Sequence, residues 1–109
     1  MTPTQRSLKL LRAEGFEVGV VEKRVPYRNI TQDLWGCMDI AAVHPTVGVL
    51  FVQVTSTGNM ASRRKKLATN PVVGWLRDVY GAGVVELHGW GKFGARGKRK
   101  LWQCRREAL

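Results

Sequence analysis

Residues 36–56 read GCMDIAAVHPTVGVLFVQVTS, two apolar runs separated by a turn-forming His-Pro-Thr-Val-Gly segment. The pattern predicts two strands, residues 38–44 and 47–55, joined as a hairpin. Side chains alternate along a strand, so Asp39, Ala41 and Val43 share one face, as do Val49, Phe51, Gln53 and Thr55. Pairing His44 with Gly48 across the turn sets the register, which brings Asp39 opposite Gln53. An Asp, a Gln and a Thr then gather at the open end of an otherwise apolar hairpin. Oxygen-bearing side chains on adjacent strand ends predict a seat for a hard cation. The structural alternatives are an Asp39 that caps a turn or pairs with a nearby Arg, and a Gln53 amide satisfied by backbone. Thr is a common strand residue, and Thr55 needs no further role.

The flanking sequence predicts helices before and after these strands. Leu8, Leu10 and Leu11 fit one face of a short helix over residues 4–14, with Thr4 as its cap and Gly15 as its stop. Residues 16–23, FEVGVVEK, read as a strand in which Gly19 suggests a bulge or a close approach, and residues 26–35 read as a loop. Asn59 is placed to cap a helix over residues 60–69, and Pro71 to open a second one over residues 72–80. Residues 84–90 and 101–106 close the chain as strands around a glycine-rich basic loop, giving a basic β-hairpin over about 84–107. The expected architecture is one α/β domain spanning residues 1–109, a mixed central sheet flanked by helices, in the order α-β-β-β-α-α-β-β.

No apolar run is long enough to cross a bilayer, and residues 1–18 lack the apolar centre of a signal peptide; both predict a cytoplasmic protein. Cys37 and Cys104 belong to no CxxC pair and predict two reduced thiols rather than a zinc site or a disulfide framework. His44 and His88 stand alone and are given no catalytic role.

Charge narrows the partner. There are 18 Lys and Arg against 8 Asp and Glu, a formal net charge of +10, and the signs are segregated. Residues 91–106 carry seven basic side chains and no acidic one, and Arg63, Arg64, Lys65 and Lys66 form a second knot. This points to a polyanion, nucleic acid first. The expected phosphate contacts are Arg63, Arg64, Lys65, Lys66, Lys92, Arg96, Lys98, Arg99 and Lys100. Phe93, Trp90 and Trp102 interleave with them, as base-stacking residues do, although core packing at the hairpin base also suits the two tryptophans.

The element order, with Gly36-x-x-Asp39 at the second strand and Gln53-x-Thr55 on the third, resembles the PD-(D/E)XK nuclease superfamily, which includes restriction endonucleases and Holliday-junction resolvases. The likeness spans roughly residues 4–90 and implies a restriction-endonuclease-like core. It further implies a metal-dependent DNA phosphodiester hydrolase using Mg²⁺ or Mn²⁺. Asp39 matches the family's Asp, Gln53 falls at the Asp/Glu position and Thr55 at the lysine position. Asp39, Gln53 and Asp33 would then hold the metal, with the Val54 carbonyl as a further ligand. Thr55 cannot act as a cation, so Lys65 or Lys66 would have to supply that charge. The glutamate that resolvases carry in the first helix has no counterpart near residues 5–7. The competing expectation is a catalytically inactive nucleic-acid-binding module on the same fold, with RNA open beside DNA. A domain this small would gain surface for a duplex by forming a homodimer.

Overall fold

The structure, a computed structural model, describes residues 1–25 and 30–109. The elements run α1 (Pro3–Ala13), β1 (Glu17–Val20), β2 (Lys23–Val25), β3 (Ile30–Gln32), β4 (Ile40–His44), β5 (Gly48–Ser56), α2 (Met60–Thr69), α3 (Pro71–Tyr80), β6 (Val85–Phe93) and β7 (Leu101–Ala108). Five strands form one mixed sheet in the order β1-β4-β5-β6-β7. β5 and β6 are parallel and the other neighbours antiparallel. The sheet strands and helices follow the expected α-β-β-β-α-α-β-β order. Between β1 and β4 the chain adds a separate two-stranded ribbon, β2-β3. Its strands are three residues each, too short for an alternation pattern to show in the sequence. Residues 26–29 of the expected loop lie outside the described residues.

Local chemistry moves several element ends. Helix α1 starts at Pro3 because Thr2, not Thr4, is the cap: Thr2 Oγ1 accepts from Gln5 N at 3.2 Å while Gln5 Oε1 accepts from Thr2 N at 2.9 Å. Gly19 makes no bulge. It pairs in regular register with Ala41, and nothing lies within 4 Å of where its Cβ would stand. Asn59 gives α2 no side-chain cap; a 3-10 turn over Thr57–Asn59 leads into that helix instead. Asn70 caps α3 through its Oδ1, which accepts from Val72 N at 2.9 Å, and Pro71 takes the first helical position as expected. β6 and β7 run farther than the sequence suggested, so the irregular part of the basic hairpin shrinks to residues 94–100.

Two cores sandwich the sheet. Leu8 and Leu11 of α1 pack on Ile40, Leu50, Val52 and Val54. On the opposite face Met60, Leu67 and Val73 of α2 and α3 pack on Val85 and Leu87. The second face needs Gly89, because a Cβ there would stand 2.2 Å from Met60 Sδ. No described helix is long and apolar enough to cross a membrane.

Candidate metal centre

The hairpin register is the predicted one, His44 opposite Gly48 and Ile40 opposite Val52. Asp39 immediately precedes β4, and its N–H donates to Val52 O at 2.9 Å. Its side chain and that of Gln53 meet directly, Gln53 Nε2 donating to Asp39 Oδ2 at 2.7 Å. Val54 N donates to the same oxygen at 2.7 Å. Both side chains are buried, with 4 % of Asp39 and 2 % of Gln53 exposed. The Val54 carbonyl lies 3.5 Å from Gln53 Nε2, so it faces the amide head.

The glycine of Gly36-x-x-Asp39 has a conformational reason. Trp35 and Gly36 both have positive φ, 56° and 73°, and Cys37 N bonds back to Leu34 O at 3.1 Å. Such a tight turn favours glycine at its second central position. Leu34 and Met38 pair across the turn, which folds Asp33 back against Asp39. Trp35 pays for its left-handed backbone by packing on Phe51, ring centroids 5.3 Å apart, and its carbonyl accepts from Asn70 Nδ2 at 3.1 Å. Trp35 is 45 % exposed and lines, with Trp75, Val79 and Tyr80 of α3, an apolar groove of about 410 Å³. It is thus neither a plug in the core nor an isolated surface ring.

A third carboxylate joins the site. One oxygen from each of Glu22, Asp33 and Asp39 lies within 4.8 Å of the others. Glu22 was absent from the sequence-based set because it belongs to no motif. The signal that locates it is sheet order: β1 pairs with β4 as far as Val20 and Ile40, and Val21 N then donates to Asp39 O at 2.9 Å. The residue after Val21 therefore stands beside Asp39.

Burial is the main force on this cluster. It pushes the Asp39 carboxyl up from 3.8 to about 8; the Val54 N–H pulls the other way, and Asp33 and Glu22 add to the rise. Gln53 Oε1 is buried with no hydrogen-bond partner among the described residues. An amide oxygen left this way costs about 1–3 kcal/mol unless something fills its lone pairs. Asp39 Oδ2 is held by two N–H donors, and the carboxylates of Asp39, Asp33 and Glu22 form an all-oxygen set. Such a set suits Mg²⁺ or Mn²⁺ rather than a soft metal.

The remaining candidates are spread around this centre. Thr55 is buried on the same strand, in register with Gly89, and brings no charge. Lys65 and Lys66 are exposed on α2. Burial raises the Cys37 thiol, Lys66 lowers it, and Asp33 and Asp39 raise it further. Arg64 is matched by Glu107, its Nε donating to Glu107 Oε2 at 2.7 Å. Arg63 stands half-buried on α2, while Lys92, Arg96, Lys98, Arg99 and Lys100 are exposed along the β6–β7 hairpin. Of the two tryptophans at the hairpin base, Trp90 is buried and Trp102 is 42 % exposed. Cys37 and Cys104 are both free thiols.

His88 is not alone, as the sequence suggested. Its Nδ1 lies 2.9 Å from Ser7 Oγ and its Nε2 2.9 Å from Glu86 Oε1. The order Ser-His-Glu is that of a nucleophile and its base, but Ser7 and His88 are fully buried and Ser7 Oγ accepts from Trp90 Nε1 at 2.8 Å. No substrate atom can approach Ser7 Oγ. Burial opposes ionisation of Glu86, yet its bonds to His88 and Arg106 prevail and hold its carboxyl low. The network fastens α1 to β6 and is structural. No family model matches the chain, and comparison with curated proteins and with solved structures finds no match either, so the case for the centre rests on its own residues.

Proposed function

We propose that the chain is a metal-dependent phosphodiester hydrolase of the PD-(D/E)XK type, acting on DNA in the cytoplasm. The observation that carries this reading is the meeting of Glu22, Asp33 and Asp39, with the buried Gln53 amide bonded to Asp39. Asp39, Asp33 and Glu22 would hold Mg²⁺ or Mn²⁺, and Gln53 would turn its Oε1 to the same ion. The bound ion would polarise a phosphoryl oxygen and make its water more acidic.

The protein's own groups have separate tasks. Val54 N–H and the Gln53 amide fix the direction of the Asp39 carboxylate, so the cluster is set before substrate arrives. Lys65 or Lys66, exposed on α2, would do what Thr55 cannot, steadying charge on the phosphate. Arg63 and the hairpin cations Lys98, Arg99 and Lys100 hold the backbone of the polymer.

A second reading has one specific support: the buried, uncharged Thr55 at the family's lysine position favours a nucleic-acid-binding module without catalysis. Plasmid, single-stranded and branched DNA incubated with the protein in Mg²⁺ and in Mn²⁺ separate the two. The hydrolase reading expects cleavage of at least one substrate, lost on adding EDTA and in Asp39→Asn. Binding without cleavage in every arm supports the inactive module.

A further inference from the structure

Two cations from separate parts of the chain stand over the Trp102 ring. The Arg6 guanidinium carbon stands 4.1 Å from the Trp102 ring centroid, and Lys92 Nζ is 5.3 Å from it. Lys92 and Trp102 are direct partners across β6 and β7. Arg6, Lys9, Trp90 and Trp102 line an open groove of about 300 Å³ whose lining includes no carboxylate. Arg6 Nε is buried and has no hydrogen-bond partner among the described residues. Arg64 and Arg106, by contrast, are each matched by glutamate.

We propose that Arg6 and Lys92, ordered on the Trp102 ring, and Lys9, which lines the same groove as Arg6, form a clamp for the phosphates of a nucleic-acid backbone. The ring fixes the direction of the arginine fork, so little side-chain freedom is lost when an anion docks. Cations over the ring compete with a stacking base, which makes this a backbone contact and independent of sequence. A polymer fits better than a lone phosphate because the cationic surface continues along exposed Lys98, Arg99 and Lys100.

Register also places the clamp relative to the metal centre. Ser56 pairs with Trp90, three residues beyond Gln53 on β5, so the groove and the acids lie at the same end of the sheet. They occupy its opposite faces: Leu8 and Leu11 of α1 pack with Val52 and Val54, whereas Gln53 points to the other side. A backbone crossing that end of the sheet can reach both. The clamp rests on the nucleic-acid partner proposed above but not on catalysis.

The test is binding of a short labelled DNA duplex in EDTA, by fluorescence anisotropy, across about 50–200 mM salt. Each phosphate contact contributes about 0.9 to the slope of log K against log salt, so Arg6→Gln/Lys9→Gln should flatten it by about 2 and weaken binding about tenfold or more. Arg12→Gln/Arg77→Gln removes the same charge elsewhere and should leave the slope nearly unchanged. Lys9→Gln alone, at an exposed side chain, should flatten it by about 1 without risk to the fold. Equal effects from the two double variants, or none from Arg6→Gln/Lys9→Gln, overturn the clamp while leaving the hydrolase reading untouched. If the clamp variants lose binding while no protein cuts DNA in metal, the clamp stands and the hydrolase reading falls. A wild-type protein that binds no duplex even at low salt overturns the clamp and leaves the hydrolase reading to the cleavage test.

Discussion

Asp39→Asn should make the metal-free protein more stable at pH 8 than wild type and remove most of the loss of stability between pH 5 and pH 8. The folded Asp39 carboxyl is pushed up to about 8, against about 3.9 in an unfolded chain. The folded state therefore holds its proton more tightly than the unfolded state does. A raised folded value contributes stability that is fully present below about pH 4 and is lost as pH rises through about 8. Each unit is worth about 1.4 kcal/mol, so the loss across that window is several kcal/mol at most. Asparagine keeps the shape and an oxygen for the Val54 and Gln53 N–H donors but cannot ionise. Thermal unfolding in EDTA from pH 5 to pH 8 reads the difference. If wild type and variant fall in parallel, burial does not govern Asp39.

Gln53→Glu should tighten divalent-cation binding by about ten- to a hundredfold. The new carboxylate places a full charge where a partnerless amide oxygen now stands. Opposite charges at about 4 Å are worth about 4 kcal/mol at intermediate dielectric, and the burial cost of the added charge removes part of that. Without metal the same variant should be less stable than wild type above neutral pH, because a fourth acid joins Glu22, Asp33 and Asp39. Mg²⁺ titration calorimetry reads the affinity, and an unchanged constant would place the Gln53 oxygen outside the coordination set.

The legibility of this site in the sequence followed the range of the forces involved. The β4–β5 register could be read because one turn and strict alternation fix it, and Asp39 and Gln53 do meet. Topology was legible for the same reason, since long apolar strands and Pro-started helices carry local signals. Glu22 was invisible because it reaches the acids through pairing of β1 with β4, whose partners are 20 to 26 residues apart along the chain. The β2–β3 ribbon left too short a pattern, and Gly19 sat in a regular strand that tolerates it. Of the two partners of His88, Ser7 lies 81 positions away in the first helix, whereas Glu86 lies two residues away on the same strand. Arg6 likewise meets Trp102 only through the docking of α1 on the sheet. The hairpin pair Asp39 and Gln53 was readable from local pattern; Glu22, Ser7 and Arg6, brought in by packing, were not.

The most direct measurement of the central claim is a titration of the protein with Mn²⁺ at pH 8, counting free ion by its electron paramagnetic resonance signal. The account predicts saturable binding to wild type, displaced by Mg²⁺ and lost in Asp39→Asn. Binding that is equally strong in Asp39→Asn, or no saturable binding in wild type, would contradict a metal centre built on Glu22, Asp33, Asp39 and Gln53.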